Sequence, residues 1–202
     1  MGVNAFNPNG LSVSRSRAGG AATYQNNLVT IKSGYGSSIG RGDLINGGTG
    51  TLAGYGVLSA LTDTSVLGVF GAVYPYYDTV QQGTAHGLIG SYQSGASPSA
   101  DISAWMIDDP FVLFYAQVSG GPWVQTWRGQ NINFLAGTNG APNATGQSTL
   151  ALDASTIATT ATLPFQIIDV IGTVGGPQDP TNTNPWIEVR LNTSALLSST
   201  GR

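Results

Sequence analysis

Residues Gly36-Ser37-Ser38-Ile39-Gly40 match the G-x-S-x-G pattern of serine hydrolases. In those enzymes a strand–turn–helix elbow presents the central Ser to a His base. Here the flanks are a Gly/Ser loop with no helix following, and His86, the single His, sits in another Gly-rich loop. The pattern therefore reads as loop. Asp108-Asp109 precede Pro110. Neighbouring side chains at a strand end point apart, so the two do not form a shared-proton dyad, and a turn Asp bonding its own backbone is the better account. A glycosidase needs two facing carboxyls, and no partner carboxyl stands out. Gly48-Thr49-Gly50 with Gly54 resembles a phosphate loop only loosely, because the Lys-Ser/Thr of a P-loop is missing. Arg41-Gly42-Asp43 is an adhesion-type tripeptide, read as chance in a Gly-rich chain without a secretion signal. Trp105, Trp123, Trp127 and Trp186 could line a sugar platform, but core packing is the default for Trp in a β domain.

These residues give no catalytic set, and the expectation is a protein that is not an enzyme and uses no cofactor. Cysteine is absent and His86 stands alone, which leaves no disulfide framework and no thiolate or His-rich metal site. Charged residues make up 8%, against about 25% in an average soluble protein. Hydrophobic residues make up 41%, enough for a core, so Ser, Thr, Asn, Gln and backbone must solvate the surface. The charge is uneven. Residues 1–42 hold Arg15, Arg17, Lys32 and Arg41 and no acid, whereas residues 43–202 hold three Arg against all ten acids. That distribution suits a basic arm reaching an acidic partner surface. Clustered Lys and interleaved aromatics are missing, so nucleic acid is not an expected partner. No apolar run approaches the ~20 residues that span a bilayer, and the first residues lack a signal-peptide pattern. A soluble protein made in a cytosol, with no membrane partner, is expected. The sequons Asn143-Ala144-Thr145 and Asn192-Thr193-Ser194 read as chance.

The elements that would position side chains are strands. Val, Ile, Thr and aromatic residues are common, while there is one Lys, one Glu and two Met. Strands are predicted over 28–32, 56–61, 66–74, 102–107, 111–118, 165–174 and 186–192, separated by Gly/Pro turns such as Thr62-Asp63-Thr64-Ser65 and Asp108-Asp109-Pro110. The run 111–118 is apolar on both faces and belongs centrally in a core. In the last strand Ile187, Val189 and Leu191 share one face and Glu188, Arg190 and Asn192 the other. Residues 148–157 could hold one short helix with Ser148 as N-cap. The fold class is mainly β, a β-sandwich or barrel-like domain over residues 27–202. An extended polar N-terminal arm precedes it over residues 1–26. The arm holds few apolar side chains, so it is expected to order only against a partner, with the domain from Asn27 folding without it.

Several segments, in order, resemble head proteins of tailed bacteriophages, specifically capsid cement or decoration proteins. They are Gly42-Asp43-Leu44; Val66-Leu67-Gly68-Val69-Phe70-Gly71 followed by Tyr74; residues 105–117 around Asp108-Asp109-Pro110; Ser148-Thr149-Leu150-Ala151-Leu152-Asp153 with Thr159-Thr160; Leu163-Pro164-Phe165-Gln166-Ile167-Ile168; and residues 187–192. The likeness spans about residues 42–192. It departs after Asn192, where similar proteins often continue with a His. The resemblance implies a many-copy virion protein on the outside of an icosahedral head. It would be assembled in the bacterial host cytoplasm, bound to the major capsid protein and acting as a symmetric homo-oligomer, a trimer favoured. On that reading the partner-binding residues are Phe6, Leu11, Val13, Arg15, Arg17 and Tyr24 of the arm. The alternative is a head-fibre or receptor- and carbohydrate-binding module using Tyr74-Pro75-Tyr76-Tyr77.

Overall fold

Alternating apolar residues in short runs leave this chain one economical way to bury them, as paired strands. The computed structural model describes residues 4–17, 26–63, 66–73, 77–78, 83–84, 91–92 and 100–192. In chain order its strands are β1 (Ser12–Ser16), β2 (Asn26–Ile31), β3 (Ile39–Gly40), β4 (Leu44–Gly47), β5 (Gly56–Leu58), β6 (Gly68–Val73), β7 (Tyr77–Asp78) and β8 (Gly83–Thr84). They continue with β9 (Ser91–Tyr92), β10 (Ile102–Ile107), β11 (Val112–Ser119), β12 (Asn131–Phe134), β13 (Leu152–Ala158), β14 (Phe165–Ile171) and β15 (Trp186–Leu191). Among the described residues 45% are strand and 4% helix, the latter in two single 3₁₀ turns. The mainly β, barrel-like class is therefore observed.

Five strands close a barrel in the order β11-β13-β12-β14-β15 and back to β11. The β11–β13 contact is parallel and the other four are antiparallel. Its interior is filled by every second residue, as the pleat requires. Phe114, Ala116 and Val118 come from β11, Ile132 and Phe134 from β12, Phe165 and Ile167 from β14, and Ile187, Val189 and Leu191 from β15. β11 is the central strand that its two apolar faces suggested, pairing with β1, β13 and β15.

A second, antiparallel sheet runs β2-β10-β6-β4-β5. Its two faces have different partners. Leu44, Val69 and Ile107 join the barrel core. Ile45, Phe70 and Met106, their sequence neighbours, face a separate core with Ile31, Ile102 and the fully buried Tyr92. This sheet thus lies between the barrel core and the β3–β9 pair, which supplies Ile39 and Tyr92 to the second core.

Several sequence expectations need correction, and the strand expected over 56–61 ends at Leu58. Residues 148–157 form no helix. The hydroxyl of Ser148 does accept the Leu150 N–H at 2.9 Å, as an N-cap would, but the chain then runs extended into β13. The ladder bonds to β11 and β12 close the barrel there and outweigh local helical preference. The strand expected over 165–174 also stops earlier, at Ile171. Gly172 has φ +107°, and a Cβ on it would lie 1.9 Å from the Gln178 carbonyl oxygen, so the chain turns where only Gly fits.

The N-terminal segment differs from the expected free arm over its described part. β1 pairs antiparallel with β11, and Leu11 is 4% exposed inside the barrel core. Asn4 donates to the Asp179 carbonyl at 3.0 Å. The Gln117 amide clasps the next turn of chain, donating to the Ala5 carbonyl and accepting from the Asn7 N–H. Counting apolar residues missed this, because polar main chain can be held by a ladder and by buried amides as well as by a core. Leu11→Ala is therefore expected to destabilise the fold by about 2–4 kcal/mol, read as a lowered urea midpoint with an unchanged slope.

Candidate functional site

Each main-chain N–H and C=O of Arg41-Gly42-Asp43 has a partner, and all but the local Gly40 belong to distant segments. The Arg41 N–H donates to Gly146 and its carbonyl accepts from Ser148, in the loop that enters β13. The Gly42 N–H donates to Phe70 and its carbonyl accepts from Leu11. The Asp43 N–H donates to Gly40 and its carbonyl accepts from the Phe70 N–H. One tripeptide thus joins the N-terminal segment, the second sheet and the barrel.

The geometry of this crossing needs small residues. Gly42 has φ +95°, and a Cβ there would meet the Leu11 N and O at 2.9 Å. Gly10, at φ +70°, would meet the Ser148 Cβ at 2.7 Å. Below them the Asp43 side chain is fully buried. It accepts from the Gly40 N–H at 2.7 Å, from the Ser148 hydroxyl and from the Gly140 backbone. Burial pushes the Asp43 carboxyl up from its usual value, and the three hydrogen bonds oppose that rise. An adhesion role is excluded by the position of this carboxylate, which no receptor can reach. The tripeptide is a structural crossing.

Beside the crossing, between β1 and the β6/β10 face, lies a cleft of about 540 Å³. Its walls include Leu11, Val13, Val69 and Trp105, with Ser12, Arg41 and Gln147 as its polar members. Arg41 is exposed, and its guanidinium has no hydrogen bond or ion pair among the described residues.

No family model, curated protein or solved structure matches this chain. The site is read from its own geometry alone.

The sequence-predicted residues scatter. Phe6 is 46% exposed at the end of β11 where Gln117 sits. Leu11 is in the core and Val13 packs half-buried against it. Arg15 forms a bidentate pair with Glu188, at 2.9 Å to Oε1 and 2.7 Å to Oε2. Arg17 is exposed and its N–H donates to the Phe111 carbonyl at the opposite end of β11. Tyr24 lies outside the described residues, as do His86 and residues 74–76. Ser38 sits ahead of β3, a strand rather than the helix of a nucleophile elbow. Asp109 accepts the Phe111 N–H at 2.8 Å as a turn Asp, while Asp108 is buried and accepts both bonds from the Asn27 amide. Trp123 and Trp127 meet edge-to-face at 5.7 Å against the barrel core, not as a flat sugar platform. Among the described residues no group of three His, Cys, Asp or Glu is placed to hold a metal, and no helix is long and apolar enough to cross a membrane.

Glu188 was expected on the solvated face of its strand. It does point outward, but Arg15 and Ser14 of β1 lie over it and leave it 4% exposed. The signal available was that it is the chain's single Glu, in a chain whose first 42 residues hold basic residues and no acid. Arg15 holds the Glu188 carboxyl below its usual range. A depressed carboxyl gives stability that is present above the unfolded value and lost as pH falls through the folded one. Glu188→Gln should therefore be less stable than the natural protein at neutral pH, and the gap should narrow as pH falls below about 4. Urea midpoints across that range check this.

Proposed function

We propose that this protein is a cement or decoration protein of a tailed-bacteriophage head, seated on the outer surface of the icosahedral shell and clamping major capsid subunits. It acts there as a homo-oligomer, with a trimer favoured. The observation that supports a structural role is the use made of the buried acids. Asp43, Asp108 and Glu188 each have their carboxylate filled by donors from another segment of the chain, so their chemistry is cohesion.

The surface supports an assembly role as well. Its charge is sparse, so covering it with a partner costs little charge desolvation. Two exposed aromatics, Phe6 at 46% and Phe111 at 59%, flank β11 at opposite ends, roughly 20 Å apart by strand rise. Phe111 has the exposed Arg17 beside it. Such a pair of anchors can bridge two neighbours, and many weak copies acting on one lattice gain from multivalency.

Co-sedimentation with particles that lack the protein tests the proposal. Binding should saturate at a copy number comparable to that of the major capsid protein, and Phe6→Ala with Phe111→Ala should weaken it without lowering the urea midpoint. Saturation at a few copies per particle would favour a fibre or receptor-binding module, and no binding would remove the capsid reading.

A further inference from the structure

We propose that the cleft between β1 and the β6/β10 face binds a small amphiphile, an apolar tail headed by a carboxylate. The tail lies against the apolar walls and the head sits on Arg41 and Gln147. This site goes beyond the assembly role and does not depend on it.

The first observation is the size and lining of the cleft. Its volume of about 540 Å³ is that of pockets that enclose a small ligand. Leu11, Val13, Val69, Ala72, Trp105 and Ile107 give it apolar walls. The main chain at the Leu11 and Phe70 walls is already bonded within the fold. The Leu11 N–H donates to Gly42, the Phe70 N–H donates to Asp43, and the Phe70 carbonyl accepts from the Gly42 N–H. A guest at these walls therefore meets side chains rather than open backbone groups. Such walls reward apolar surface taken out of water.

The second observation is an unanswered cation. Arg41 and Gln147 are paired across a parallel bridge, and both line the cleft. Neither the guanidinium nor the Gln147 side-chain amide has a partner among the described residues. None of the residues lining the cleft is acidic. Asp43, two residues from Arg41, is buried, and its carboxylate accepts from Gly40, Gly140 and Ser148. Gly146 and Ser148 pin both main-chain groups of Arg41, which fixes where its side chain leaves the backbone. A planar guanidinium with an adjacent amide donor matches a carboxylate, which can accept from both. Arg41 is exposed, so the head sits at the rim, where its charge stays partly hydrated. A guest with one acid head and an apolar tail answers the donors and the walls together.

Calorimetric titration of the full-length protein tests this with hexanoate, octanoate and decanoate, each below its micelle concentration at neutral pH. Affinity should rise about fourfold per added methylene. Octanoate should bind about tenfold tighter than octanol, which has the same tail and no charge. Octanoate should also shift the amide resonances of Leu11, Val13 and Val69. Arg41→Gln should bring octanoate down to the level of octanol and leave octanol binding unchanged. Arg41 has no partner to lose, so this variant should keep the natural urea midpoint. No binding of any of the three carboxylates would overturn the proposal. So would octanoate binding no tighter than octanol, or shifts confined to residues away from the cleft. Arg41→Gln that binds octanoate as the natural protein does would overturn it as well.

Discussion

A buried carboxylate has to be answered by donors, and in this protein the answer organises the fold. Removing a carboxylate from water without partners costs several kcal/mol. Asp43 meets that demand with donors from Gly40, three residues before it, and from Gly140 and Ser148, which lie in the distant stretch between β12 and β13. To bring them together the chain must cross itself at van der Waals distance, and Gly10, Gly40 and Gly42 make the approach possible. The same crossing pairs Gly42 with Leu11 and Phe70, so the N-terminal segment, the second sheet and the barrel meet at one point.

The surface features follow from that constraint. With Leu11 tied to Gly42, β1 is directed along β11, and Arg15 can reach across to Glu188 in β15. Between β1 and the β6/β10 wall lies the cleft lined by Leu11, Val13, Val69 and Trp105. Arg41 stands beside it because its backbone is pinned on both sides. A basic N-terminal segment is thus divided by role. Arg15, though half exposed, is paired with Glu188 within the fold, while Arg17 and Arg41 are exposed.

Much of the strand inventory was legible because alternation has a direct physical cause. Ile187, Val189 and Leu191 line the barrel as their spacing required, and the doubly apolar β11 is the strand with three partners. What was not legible depends on long-range pairing. The stretch around Ser148 carries an N-cap hydroxyl followed by Leu150, Leu152 and Ile157, and its pairing with β11 and β12 makes it a strand. Residues 4–17 are polar and looked free, yet Gln117, Asn184 and the β11 ladder occupy their main chain. Arg41-Gly42-Asp43 looked like a surface motif in a glycine-rich loop. Nothing local in the tripeptide announces that its Asp would be buried and bonded by the stretch that carries Gly140 and Ser148.

Native-state hydrogen exchange of individual amides tests most directly whether this crossing holds the molecule together. The amides of Leu11, Phe70 and Ser148 come from three segments and donate to Gly42, Asp43 and Arg41, while the Gly42 amide donates to Phe70. They should exchange only through global unfolding, with the same denaturant dependence as the barrel amides of β11 and β15. A Leu11 amide that exchanges as fast as in an open chain, while Phe70 stays protected, would contradict the account, because the N-terminal segment would then be a loosely attached arm.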